Sequence, residues 1–128
     1  MSVPHTVLVI DDDPDIRDVL QTALEARGYD VTCAADGEAG IAHALAHRPD
    51  VEILDMMMPR VSGFVVLERL KHHHRLGVPV IMLTGNDSDH QRTYAEFLGV
   101  DDYLTKPVGA LQLFESVGRL CPPKSAHP

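Results

Sequence analysis

The stretch Val7-Leu8-Val9-Ile10-Asp11-Asp12-Asp13-Pro14 decides how this chain is read. A short apolar, β-branched run that ends abruptly in acids reads as a buried strand. Directly after it, Ile16, Val19, Leu20, Ala23 and Leu24 recur at helical spacing. Pro14 is tolerated in the first turn of that helix, and Gly28 stops it. The opening is therefore one strand–helix unit with a cluster of carboxylates at the joint.

The same unit recurs outward along the chain. Tyr29 to Ala34 reads as a second strand, and Asp36-Gly37-Glu38 opens a helix carrying Ile41, Ala42, Leu45 and Ala46 that Pro49 terminates. Val51 to Leu54 is a third strand ending in Asp55; Met58 to Gly63 is a loop, and Phe64, Leu67 and Leu70 mark a third helix. Val78 to Leu83 is the most apolar strand, with Pro79 near its entrance, where a missing N–H is tolerable. A helix around Ser88 to Leu98 ends at Gly99, Asp102 to Thr105 makes a fifth strand, and Leu111, Leu113, Phe114, Val117 and Leu120 mark a last helix. Such alternation predicts an α/β fold, a doubly wound parallel sheet with helices on both faces and right-handed crossovers.

In doubly wound sheets the functional crevice lies beyond the carboxyl ends of the strands. Asp11 and Asp12 follow strand one, Asp55 strand three, Thr84 strand four and Lys106 strand five. Carboxylates gathered there repel one another, and hard divalent cations such as Mg²⁺ take oxygen ligands. Lys106 and the Thr84 hydroxyl add a cation and a donor suited to phosphoryl oxygens. Phosphoryl transfer needs mainly positioning and charge neutralisation, and an aspartate can be the nucleophile.

Bulk properties agree with one soluble domain. The chain has 128 residues, 45% of them hydrophobic, and a net charge of −8, which argues against direct nucleic-acid binding. Cys33 and Cys121 form no motif and fit a reducing compartment. The start has no signal-peptide pattern and no run approaches the roughly 20 apolar residues of a membrane span, so a cytoplasmic protein is expected.

Four segments carry a resemblance. Val7 to Pro14, Ile53-Leu54-Asp55-Met56-Met57-Met58-Pro59 with Gly63 beyond, Pro79 to Gly85, and Gly99-Val100-Asp101-Asp102-Tyr103-Leu104-Thr105-Lys106-Pro107 together resemble the receiver domains of bacterial two-component response regulators. The likeness runs from about Thr6 to Leu120. It implies a flavodoxin-like five-stranded sheet of order 2-1-3-4-5, with residues 1–121 as the receiver domain and 122–128 as a short, frayed tail.

The resemblance also implies roles. Asp55 would accept a phosphoryl group from a sensor histidine kinase or histidine phosphotransfer protein, and the chain would be no enzyme beyond self-catalysed phosphorylation and slow autodephosphorylation. Asp12, Asp55 and the Met57 carbonyl would bind Mg²⁺, with Asp11 acting largely through water and Mn²⁺ as a substitute ion. Thr84 and Lys106 would hold the phosphoryl group, Tyr103 would be the rotamer switch, and the Lys106–Pro107 bond would be cis. Signalling would pass through the fourth helix, fifth strand and fifth helix to a downstream protein, from a monomer or a phosphorylation-linked homodimer.

Some residues depart from the family pattern. Glu52 stands where an apolar residue is usual, and is expected at the strand's lower rim or against a partner, because a buried unpaired carboxylate is costly. Val108 replaces a common aromatic, and Met57 and Asn86 occupy the positions that tune acyl-phosphate lifetime.

Other readings are weaker. Asp13, Asp15 and Asp36 suit helix caps and first turns. His72-His73-His74 reads as a solvated helix end, since facing helical residues are three or four apart. Asp11, Asp13 and Asp15 superficially suggest a haloacid-dehalogenase-type phosphatase, but Asp15 stands where Thr or Val is expected. A calcium-binding loop fails because Ile16 occupies the required Gly position and Thr22 that of the bidentate Glu. A stand-alone receiver is expected, with a module of a hybrid kinase or longer regulator as the alternative.

Overall fold

Five parallel strands lie in the order β2-β1-β3-β4-β5. They are β1 (Thr6–Ile10), β2 (Asp30–Ala34), β3 (Val51–Asp55), β4 (Val80–Thr84) and β5 (Asp102–Thr105). Between and after them run α1 (Pro14–Glu25), α2 (Gly37–Ala46), α3 (Gly63–Glu68), α4 (Asp89–Phe97) and α5 (Ala110–Leu120). The computed structural model describes residues 5–85 and 88–121; Asn86 and the 122–128 tail lie outside the described residues. The doubly wound architecture and the 2-1-3-4-5 order are those expected.

Side-chain alternation along the strands builds two cores. On one face Val7, Val9, Ile53, Ile81 and Leu83 pack against Leu20 and Leu24 of α1 and Leu113 and Val117 of α5. On the other, Leu8, Ile10, Leu54 and Met82 pack against Ile41 and Ala44 of α2, Val66 and Leu67 of α3, and Ala95 of α4. Burial on both faces explains why β4 is an apolar run instead of an alternating one, and β3 is buried along its whole length as well.

Helix starts are capped as the acids predict. Asp13 accepts a hydrogen bond from the Asp15 amide at 2.9 Å, and Asp36 accepts one from the Ala39 amide at 2.8 Å. Some expected apolar faces are rotated. Val19, Leu45 and Leu111 are exposed, and α2 instead buries Gly40, Ile41 and Ala44. The third helix runs on from α3 as a single π-helical turn, Arg69–His73, which the sequence pattern did not show. His72 to His74 lie at its exposed end, where His72 Nε2 reaches the Leu98 carbonyl at 2.9 Å.

The far end of α5 is tied to the sheet through Tyr29, whose buried hydroxyl donates to the Cys121 carbonyl at 2.8 Å. Tyr29→Phe removes this bond while keeping the ring. Urea denaturation is expected to show a loss of about 1 kcal/mol. An unchanged midpoint would mean that the contact is not formed in solution.

Glu52 lies elsewhere than expected. It is the second residue of β3, paired in register between Leu8 and Val80, and fully buried on the α2–α3 side of the sheet. Neither carboxylate oxygen has a hydrogen-bond partner among the described residues. It is thus neither at an exposed rim nor hydrogen-bonded. Strand alternation is the reason: with Val51 and Ile53 facing α1 and α5, residue 52 must face the opposite core. Burial pushes its pKa up to about 7, with Lys71 pulling the other way.

Candidate functional site

The carboxyl ends of β1, β3, β4 and β5 converge on one crevice. The crossover between β1 and β3 splits the connections to either side, so the residues following these strands meet. Asp11 and Asp55 are buried, Asp12 is exposed, and one oxygen from each of the three carboxylates lies within 4.8 Å of the others. Lys106 enters from β5, with Nζ 3.0 Å from Asp11 Oδ2 and 3.2 Å from Asp55 Oδ1. The fold therefore brings together Asp11, Asp12, Asp55 and Lys106.

Backbone contacts hold these groups in place. Asp11 Oδ1 accepts from the Asp13 amide at 2.9 Å, and Asp55 Oδ1 accepts from the Met57 amide at 3.3 Å. The Lys106 amide donates to the Thr84 carbonyl at 2.6 Å, linking β5 to β4, and the Lys106–Pro107 bond is cis. Thr84 is buried at the end of β4, its hydroxyl 3.6 Å from Met56 Sδ. Met57 projects its side chain into solvent. Gly63 closes the loop: its amide donates to the Met56 carbonyl at 2.9 Å, and a Cβ there would collide with the Asp55 carbonyl. Only glycine permits that approach.

The electrostatics follow from burial and like charge. Burial and the Asp11 carboxylate push Asp55 up to about 6, while Lys106 holds it down. Burial opposes the charge on Lys106, yet the two carboxylates outweigh it and raise its pKa. The Lys106 ammonium thus sits between the buried carboxyls of Asp11 and Asp55, with Asp12 at the solvent edge. Hard oxygen donors so spaced suit a small divalent cation.

Tyr103 lies on β5 with its ring buried, its hydroxyl without a partner among the described residues, and the Arg92 guanidinium 5.3 Å above the ring. Val108 is part-buried against the α1–α5 core, and a cleft of about 250 Å³ opens beside it, lined by Ile16, Val19, Leu20 and Pro107. Sequence reasoning did not find two supports of the site. Arg17 donates to the Asp11 carbonyl at 2.8 Å, and Met56 turns its sulfur to Thr84. Arg17 lies six residues beyond Asp11 on the buried side of α1. That helical placement was the only available signal.

No helix among the described residues is long and apolar enough to cross a membrane. The family model for the response regulator receiver domain matches residues 7–118. Among curated relatives, the chain is 43% identical over 104 residues to a probable transcriptional regulatory protein, TcrX, of Mycobacterium tuberculosis, covering 81% of this chain and 44% of that one. It is 42% identical to the DNA-binding dual master transcriptional regulator RpaA of Synechocystis, over 89% of this chain and 48% of the relative. The chain thus spans about half the length of the curated relatives it matches. Among solved structures, chemotaxis protein CheY4 of Vibrio cholerae superposes with a TM-score of 0.87 at 30% identity, covering 92% of this chain and 99% of that one. The receiver domain of Francisella response regulator 1452 superposes with a TM-score of 0.86 at 35% identity, covering 91% and 95%. With that crevice at the strand ends of this sheet, the chain belongs to the response-regulator receiver domain family of two-component signalling systems.

Proposed function

We propose that this receiver is a signalling switch operated by phosphorylation of Asp55. The observation that carries the reading is the buried Asp55 carboxylate, 3.2 Å from Lys106 and clustered with Asp11 and Asp12. A carboxylate oxygen attacks phosphorus, and the phosphorus–nitrogen bond of a phosphohistidine breaks. The imidazole leaves with the electron pair and takes a proton from solvent. The donor is a sensor histidine kinase or histidine phosphotransfer protein, and the product is an acyl phosphate on Asp55. With a pKa of about 6, Asp55 is mostly ionised at neutral pH, as a nucleophile must be.

Lys106 and the Thr84 hydroxyl bind the added phosphoryl oxygens. Asp12, Asp55 and the Met57 carbonyl would hold Mg²⁺ or Mn²⁺, with Asp11 linked through water. Bound there, the ion neutralises the charge that repels an incoming phosphoryl group. Tyr103 and Thr84 carry the change to the face made by α4, β5 and α5, where Tyr94, Phe97 and Leu111 are exposed. That face docks a downstream protein or a second phosphorylated copy, not nucleic acid, in keeping with the net charge of −8. The proposed compartment is the cytoplasm.

Asp12 is the most accessible acid of the cluster, so its loss should weaken the ion more than the fold. Asp12→Asn is expected to raise the Mg²⁺ concentration needed for half-maximal phosphorylation by acetyl phosphate by about tenfold or more. A phosphate-affinity gel over a Mg²⁺ series measures it. Equal Mg²⁺ requirements in variant and wild type would remove Asp12 from the site.

A second reading makes this switch one module of a longer regulator. It is favoured by the coverage of only 44% and 48% of the two relatives named above. Immunoblotting of the native polypeptide decides: a stand-alone receiver migrates at 14.1 kDa, a module in a larger chain.

A further inference from the structure

Three ligand-type side chains meet at the opposite end of the sheet from Asp55. His5 directly precedes β1, Asp50 directly precedes β3, and Cys121 directly follows α5. One ligand atom from each lies within 4.8 Å of the other two. His5 Nδ1 is buried, 3.3 Å from Asp50 Oδ2, with no well-directed hydrogen bond among the described residues.

Each of the three is braced by the fold. The His5 carbonyl accepts from the Asp30 amide at 2.9 Å. Asp50 Oδ2 accepts from the Thr6 amide at 2.8 Å and faces the Thr6 hydroxyl at 3.3 Å, as the outer partners of a metal-bound carboxylate do. The Cys121 amide donates to the Val117 carbonyl at 2.7 Å, and its carbonyl accepts from Tyr29. Bracing of this kind lowers the ordering that a ligand must impose.

We infer that His5, Asp50 and Cys121 form a site for a borderline-soft divalent ion, Zn²⁺ by preference. An imidazole, a carboxylate and a thiolate suit Zn²⁺, whereas Mg²⁺ takes oxygen ligands. Tetrahedral bonds of about 2.0 Å place nitrogen and oxygen about 3.3 Å apart, the separation found between His5 and Asp50. A thiolate at about 2.3 Å from the ion stands about 3.6 Å from either neighbour. Starting from separations within 4.8 Å, the cluster closes on the ion with about 1 Å of movement. Water completes the shell from the exposed Asp50 side, and binding releases the thiol proton to solvent. A thiol nucleophile acting on a substrate is a poorer account, because Cys121 is only 4% exposed. The ion would clasp His5, directly before the first strand, to Cys121 at the end of the last helix.

Titration of the full chain with Co²⁺ and then Zn²⁺, in saturating Mg²⁺ to occupy the acidic crevice, tests this. One equivalent of Co²⁺ is expected to give a thiolate-to-cobalt charge-transfer band that Zn²⁺ bleaches and that Cys121→Ser lacks. His5→Gln and Asp50→Asn, each checked for native circular dichroism, are expected to weaken Zn²⁺ binding at least tenfold. Zn²⁺ should also slow alkylation of Cys121 in the wild-type protein while leaving Cys33 unprotected, a readout that needs no variant to fold. The inference is overturned if wild type shows no charge-transfer band, if the band survives Cys121→Ser, or if Zn²⁺ fails to protect Cys121.

Discussion

Glu52→Gln is expected to raise the unfolding free energy at about pH 8 by about 3 kcal/mol and to change it little at about pH 4.5. The cause is a carboxyl sealed in the core between Leu8 and Val80, with no hydrogen-bond partner among the described residues and a folded pKa of about 7 against an ordinary value of 4.5. Because the folded pKa lies above the unfolded one, the folded state binds the extra proton between those two values. Stability from this group is therefore complete below about pH 4.5, falls as pH rises to about 7, and stays lost above it. Glutamine has nearly the same shape and never ionises, so the variant lacks that slope.

The charged groups nearest to Glu52 limit the effect without reversing it. Lys71, from the π-helical turn, lowers the pKa, but its ammonium is held 2.8 Å from Asp101 Oδ2. Asp55 also titrates above its ordinary range and adds a slope of the same sign. It does so in both proteins, and the difference between them cancels it. Urea unfolding of both proteins across about pH 4.5 to 8 checks the sign and size. Parallel pH profiles would mean that Glu52 reaches water or a firm partner in solution.

Most of the strands and the crevice could be read from the sequence because their signals are local. An apolar run broken by polar residues marks a buried strand and its carboxyl end together; Asp11, Asp55 and Thr84 stand at the ends of such runs, and Lys106 directly follows the shorter Asp102–Thr105 strand. Family resemblance then supplied the sheet order, which periodicity alone could not. The parts that escaped depend on three-dimensional pairing. In α2 nearly every residue is small or apolar, so no stripe stands out; Gly40 faces the sheet because a Cβ there would collide with Ile10, and Ala44 is buried on the same core. The π-helical turn at Arg69–His73 has no composition of its own. The position of Glu52 escapes a sequence reading because a charge is expected to find water or a partner, whereas β3 is covered on both faces from its first residue.

The acidic crevice shows the same division. Which carboxylates gather was legible; how their charge is shared was not. Asp11 is the buried acid bound to Lys106, and Asp12 faces solvent. The repulsion that raises Asp55 therefore comes from Asp11. Two neighbouring residues in one acidic run thus have opposite environments, decided by how β1 ends and not by residue type.

Whether Asp55 is the phosphoacceptor can be read from intact-mass spectrometry. Wild type and Asp55→Asn are incubated with acetyl phosphate and Mg²⁺, then treated with hydroxylamine, which cleaves acyl phosphates but not phosphate esters. The amide of asparagine is a far weaker nucleophile than a carboxylate and nearly the same size, so the variant removes the chemistry while retaining the shape of the crevice. Wild type is expected to gain one phosphoryl group that hydroxylamine removes, and Asp55→Asn none. A phosphoryl group appearing on Asp55→Asn at the wild-type rate, or one that resists hydroxylamine on wild type, would rule out Asp55 as the acceptor.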